Sequence, residues 1–131
     1  MKISLEAALP RYHIRSYTDD FIVIQTPENQ IQQHSFPLLI TQDSLITGSD
    51  VPEPGNFNSK QLEVLQGLQP EVLLIVDASL DFPEKINFSQ RLSPLAISVE
   101  WMTLGPACRT FNLLQQDLRN AVLLVISRKL I

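Results

Sequence analysis

Asp77 and Glu100 each stand at the end of a candidate strand, and that placement is where acid–base chemistry would arise. With Val72–Val76 and Ala96–Val99 as parallel neighbours, both acids emerge at the carboxyl edge of one sheet. Open α/β sheets hold their ligands at that edge. Two carboxylates there act as general acid and base when unequal surroundings split their pKa values. Acids at strand ends equally serve to cap helices or to accept from backbone amides.

A second set of groups lies on one helix, expected over Leu104–Asp117. Thr103 is placed to cap it, and Pro106 is tolerated in a first turn whose amides lack helical partners. Arg109, Asn112 and Gln116 recur at three- and four-residue steps along one face. That face can present a planar guanidinium and an amide to a carboxylate or phosphate. An anion near Thr103 and Gly105 would also feel the helix N-terminus. The structural alternative has Arg109 paired with Glu100 or Asp117, and Asn112 bonded to the backbone of a neighbouring loop.

Leu104, Ala107, Cys108, Phe111, Leu114 and Leu118 form the apolar stripe of the same helix. Cys108 on that stripe is expected to be buried as a small hydrophobe rather than to act as a nucleophile. It is the one cysteine, and His13 and His34 are the two histidines. That inventory excludes an intramolecular disulfide and a thiolate zinc cluster, so no metal or cofactor is expected. The chain contains no Gly-x-Gly-x-x-Gly, phosphate-binding loop, Gly-x-Ser-x-Gly or His-Glu-x-x-His. No catalytic residue is therefore assigned. The ligand candidates are Asp77, Glu100, Thr103, Arg109 and Asn112.

These groups need a scaffold, and the patterning supplies one. Tyr12–Tyr17 alternates, Thr18-Asp19-Asp20 offers turn chemistry, and Phe21–Ile24 continues as strand. A polar stretch, Gln25–Ser35, breaks at Pro27. Phe36–Thr41 and Ser44–Thr47 are short strands, and the Pro- and Gly-rich Gly48–Asn58 is loop. Ser59 caps a helix through Leu68, with Leu62, Leu65 and Leu68 facing inward. Val72–Val76 reads as a strand covered on both faces. A short helix over Glu84–Leu92, a strand Ala96–Glu100, the Leu104–Asp117 helix and a strand Ala121–Ile126 complete the order. The expected fold is a single-domain α/β sandwich over residues 1–131. Its antiparallel N-terminal meander leads into β-α-β-α-β with parallel strands.

The 131 residues suit one domain. They are 44% hydrophobic and 18% charged, with mean hydropathy +0.06, which excludes a disordered polyelectrolyte. The low charge implies a surface partly covered by uncharged or apolar groups. Net charge is −4 and the pI about 5.0, unsuited to neutralising phosphates, so nucleic acid is not an expected partner. Charge is uneven: +2 over residues 1–18, −10 over 19–84 and +4 over 85–131. No apolar run approaches the ~20 residues that span a bilayer. Residues 1–6 resemble neither a signal h-region nor a presequence. A bacterial cytoplasmic location without membrane insertion is expected.

The stretch Val99-Glu100-Trp101-Met102-Thr103-Leu104-Gly105-Pro106-Ala107-Cys108-Arg109-Thr110-Phe111-Asn112-Leu113-Leu114 resembles a small α/β family of largely unknown biochemistry. That family includes a mitochondrial respiratory complex I assembly factor, the NADH dehydrogenase alpha subcomplex assembly factor family. Arg119 before a small-apolar strand fits the resemblance. Ile14-Arg15-Ser16-Tyr17 and Pro70–Ile75 extend it more weakly. It implies a compact sandwich of sheet layers and helices, and it carries over no catalytic residue. Two departures stand out: Asp77-Ala78-Ser79 replaces a glycine-rich loop, and Leu118 follows Asp117 where a glycine is common. Leu118 would resist a left-handed turn.

A non-enzymatic interaction or assembly protein is thus the expected function, with an unidentified protein partner and self-association open to it. Its contact patch is expected to border Pro52–Phe57. The alternative is a small-molecule or anion-binding protein, or a minor enzyme, using the sheet edge near Asp77, Glu100, Arg109 and Asn112.

Overall fold

The computed structural model describes residues 11–127; the expectation for residues 1–6 lies outside them. Alternation in β1 (His13–Tyr17) and β2 (Phe21–Gln25) buries Ile14, Ile22 and Ile24 on one face. The turn between them forms as expected, with Thr18 N–H donating to the Phe21 carbonyl at 2.9 Å. β3 (Ile31–Ser35) then pairs antiparallel with β2, Phe21 opposite Ser35 and Gln25 opposite Ile31. This strand lies inside the stretch expected to be irregular. Ile-Gln-Gln-His-Ser is too polar to register as strand, yet it edges a three-stranded sheet and needs only ladder bonds and one half-buried face. Asn29, left-handed at φ 68°, closes the preceding turn.

A second sheet has five strands, in the spatial order β5 (Leu45–Thr47), β4 (Leu38–Ile40), β8 (Ala121–Ser127), β6 (Val72–Asp77) and β7 (Ser98–Trp101). β4 and β5 form a hairpin, and β4 lies antiparallel against β8. β6 is parallel to β8 on one side and to β7 on the other. The antiparallel first half is therefore divided, its hairpin at β4–β5 joining the sheet made by the parallel half.

α1 (Ser59–Leu68), α2 (Phe82–Leu92) and α3 (Leu104–Gln116) follow the expected order with shifted ends. Asn58, not Ser59, caps α1, its Oδ1 accepting from Gln61 N–H at 2.9 Å. α2 starts two residues early because Asp81 and Glu84 form a reciprocal capping box, each side chain accepting from the other's backbone N–H at 2.9 Å. β7 begins two residues late, after Ala96 ends a 3₁₀ turn in the left-handed region.

Successive residues of β6 and β8 serve opposite faces. Leu74, Val76, Leu123 and Val125 meet Phe111 of α3 and the isoleucines of the three-stranded sheet. Leu73, Ile75, Val122 and Leu124 meet Leu65 of α1 and Phe88 and Leu92 of α2. Burying each such side chain contributes roughly 1.5–3 kcal/mol. The result is a layered α/β sandwich: α1 and α2, the five-stranded sheet, then α3 with the three-stranded sheet. Of the expected stripe on α3, Leu104, Ala107, Cys108 and Phe111 are buried, Leu114 is half-buried and Leu118 is 65% exposed. Leu118 lies past the helix end, at φ 59°. The left-handed turn that a glycine would favour is made there by leucine.

Candidate functional site

The carboxyl ends of β6 and β7 open into a cleft of about 790 Å³. Its walls include Asp77, Lys85, Thr103 and Arg109, with Tyr17 reaching in from the three-stranded sheet. Glu100 and Asn112 do not line it. The sheet edge thus gathers three of the five expected candidates and leaves out two.

Asp77 is buried, and its Oδ1 accepts from Ser79 N–H at 3.1 Å and from Ser79 Oγ at 2.5 Å. It closes the turn out of β6 as an Asx turn does. Thr103 stands at the N-cap of α3 in extended conformation, and its side chain makes no capping bond. Gly105, in the first turn, admits the Tyr17 phenol. A Cβ there would fall 2.6 Å from Tyr17 Oη and 3.4 Å from Arg109 Nη1. Arg109 is exposed, and among the described residues its guanidinium has no hydrogen bond or ion pair, so neither Glu100 nor Asp117 is its partner. Among the described residues the one salt bridge joins Arg119 to Glu71 at 3.4 Å.

Lys85 escaped the sequence reading. The cleft takes it from the inner turn of α2, where its Nζ stands 5.6 Å from the Trp101 ring. A lone lysine in an amphipathic helix carries no signal that a distant strand end will face it.

Asn112 has another task. Ile14 N–H donates to its Oδ1 at 3.1 Å, and its Nδ2 donates to the Ile14 carbonyl at 2.9 Å. The amide clamps β1 to α3 where the β1–β2 register shifts. It bonds a strand, where a loop was expected. Cys108 is buried, and loss of solvation pushes its thiol up to about 12 against a smaller opposing pull from Arg109. Such a thiol is no nucleophile at neutral pH. Among the described residues no group of three His, Cys, Asp or Glu is placed to hold a metal.

A second hollow, about 760 Å³, runs between α2 and the outer edge of β7. Phe82, Ile86, Gln90, Val99 and Trp101 line it. Phe82 is 73% exposed and Ile86 40%. Pro52–Phe57, expected to border the contact patch, do not line this hollow. That segment turns inward: Val51, Pro52 and Pro54 are buried, and Phe57 packs edge-on against Phe88 at 4.9 Å beneath Arg91. The proline spacing marks a loop and is silent on which side of it faces solvent.

No protein-family model matches the chain. A "13 kDa major membrane protein" of Francisella tularensis is 22% identical over 97 residues, 73% of this chain and 79% of that protein. Among solved structures, a Bordetella pertussis protein named a Mth938-like domain superposes with TM-score 0.62 at 20% identity, covering 92% of this chain and 87% of its own. An outer membrane protein from Bartonella henselae superposes with TM-score 0.61 at 24% identity, covering 91% and 97%. Among the described residues no helix is long and apolar enough to cross a membrane. At these identities the likeness establishes the fold: this chain shares the small α/β architecture of the Mth938-like domain.

Proposed function

We propose that the chain is a non-enzymatic interaction protein of assembly type, with residues 1–131 acting as one domain. Its contact surface is the groove between α2 and the edge of β7. One observation carries the reading: exposed Phe82 and Ile86 stand beside the β7 edge, which no strand among the described residues pairs. Large apolar groups grouped at one place on a surface mark interaction sites, and an open edge offers backbone bonds to match. The motif at Val99–Leu114, which resembles the complex I assembly factor family, and the likeness to a Mth938-like domain support the same reading. The composition suits a cytoplasmic protein, whereas two relatives carry membrane names. A peripheral place on a membrane-bound assembly accommodates both.

The test is a photo-crosslinking amino acid at Gln90, activated in cells, with and without Ile86→Glu. A discrete adduct that Ile86→Glu abolishes, with the fold unchanged by circular dichroism, supports the reading. No adduct, or one indifferent to that substitution, refutes it.

A second reading is favoured by the Arg109 guanidinium, which has no partner among the described residues. It shares the cleft with Lys85, two cations suited to a carboxylate or phosphate on a small molecule. Titrating inorganic phosphate or citrate into labelled protein should shift resonances of Gly105 and Arg109, and Arg109→Gln should remove the response. Unmoved spectra would dismiss it.

A further inference from the structure

The β7 edge has a geometry that specifies what pairs with it. Ser98 N–H donates to the Glu71 carbonyl at 3.3 Å, and Met102 N–H to the Ile75 carbonyl at 3.0 Å. Even-numbered residues of β7 therefore turn their backbone toward β6. Val99 and Trp101 turn theirs to the open side. Side chains divide the other way. Val99 and Trp101 pack toward the α2 face, while Ser98 and Glu100 are exposed.

We infer that the occupant of this edge is a second copy of the chain, joined by antiparallel β7–β7 pairing about a two-fold axis at Val99. The inference rests on the reading of the groove as a contact surface and names its partner. In this register Val99 of each copy donates to and accepts from the other. On the α2 face, Trp101 falls opposite Ile97 and Val99 opposite Val99, an unbroken apolar strip. On the other face, each Ser98 hydroxyl falls opposite a Glu100 carboxylate, a donor facing an acceptor twice over.

Neighbouring registers are worse. An axis at Glu100 sets two carboxylates against each other, which is destabilising. An axis at Ser98 brings Glu100 opposite Ala96, already outside the strand in a left-handed turn. The groove is self-complementary as well. Phe82 projects at one end, and the hollow at the other is lined by Ser93, Ala96 and Ile97. The two-fold carries Phe82 of the second copy to that end. The two sheets become one, and isologous pairing of this kind closes without leaving a free β7 edge.

The test uses cysteines at the two polar positions. In the Val99 register neither Ser98→Cys nor Glu100→Cys lies opposite itself, but each lies opposite the other. Directly opposed residues on neighbouring antiparallel strands come within disulfide range. Mild oxidation should cross-link an equimolar mixture of the two variants and neither variant alone, and Cys108, being buried, does not compete. Sedimentation of the unmodified protein should show a concentration-dependent dimer, and Ile86→Glu should shift it to monomer with circular dichroism unchanged.

A monomer at all concentrations overturns the inference. Cross-linking of Ser98→Cys or Glu100→Cys with itself overturns the register and with it the proposed dimer. A monomer whose Gln90 photo-adduct is a different protein overturns self-pairing and leaves the groove as a contact surface. No adduct of either kind removes both readings.

Discussion

Replacing Asn112 with alanine separates a structural asparagine from a ligand-binding one. The side chain makes two hydrogen bonds to the backbone of Ile14, at 3.1 and 2.9 Å. Ile14 is buried, and β1 is an edge strand whose partner β2 lies on its other side. Alanine removes both partners at once. A neutral hydrogen bond contributes about 1 kcal/mol net, and a buried group left unpaired costs about 1–3 kcal/mol. The site is only part-buried, so water recovers some of this, and the expected loss is about 2 kcal/mol. With a urea m-value of about 2 kcal/mol/M for a chain of this size, the midpoint should fall by roughly 1 M. Asn112→Asp keeps the acceptor for Ile14 N–H but sets a carboxylate against the Ile14 carbonyl, so it should lose a similar amount at pH 7. Equilibrium urea unfolding followed by Trp101 fluorescence reads both. A loss below about 0.5 kcal/mol for Asn112→Ala would refute the clamp.

Three further outcomes follow from particular residues. Leu118→Gly should stabilise the chain by about 0.5–1 kcal/mol by relieving a left-handed leucine whose side chain is largely in solvent; a thermal midpoint no higher than that of Leu118→Ala would contradict this. Glu71 is held below its ordinary value of 4.5, first by the Asn120 N–H at 3.0 Å and then by Arg119. Its contribution is therefore present above 4.5 and lost as pH falls through the lowered value, so Glu71→Gln should flatten the acid limb of a stability–pH curve, and an unchanged limb would count against the pairing. The Cys108 thiol, raised to about 12, keeps its proton in the fold when an ordinary thiol of pKa 9.0 has lost it. That contribution should wane as pH rises above 9.0, and labelling by a disulfide reagent at pH 8 should wait on unfolding; prompt labelling of native protein would show the thiol to be accessible.

The layered architecture was legible because the apolar runs at Val72–Val76 and Ala121–Ile126 lack a polar face, which only strands covered on both sides can tolerate. Cys108 was legible for the same reason, lying on a stripe of helical period. β3 was not legible, since Gln32, Gln33 and His34 are held by a ladder contributed by other residues. Asn112 was placed on the correct helix face but given the wrong partner. The spacing shows that a polar group recurs there, not that β1 arrives 98 positions away in sequence to take it. Arg109 shows the converse. Nearness in sequence suggests an acid as its partner, yet Glu100 does not line the cleft that Arg109 lines, and the salt bridge among the described residues is made by Arg119 and Glu71 instead. The apolar groove was hidden because Phe82 and Ile86 look like ordinary core residues of a helix until α2 is seen to end at an edge strand.

The exposed margin of β7 also bears on solubility. Among the described residues no strand pairs with the outer backbone of Val99 and Trp101, and an edge of that kind is a template for another extended chain, the route by which sheets become aggregates. Three features restrain it: the strand is four residues long, the left-handed Ala96 cuts it off below, and Glu100 sets a charge on its polar face. Glu100 thus acts as a gatekeeper, tolerating a partner that brings a hydroxyl opposite it and discouraging stacked strands that would align its carboxylate with another. A carboxylate placed where acid catalysis could occur serves here to govern which strands come alongside.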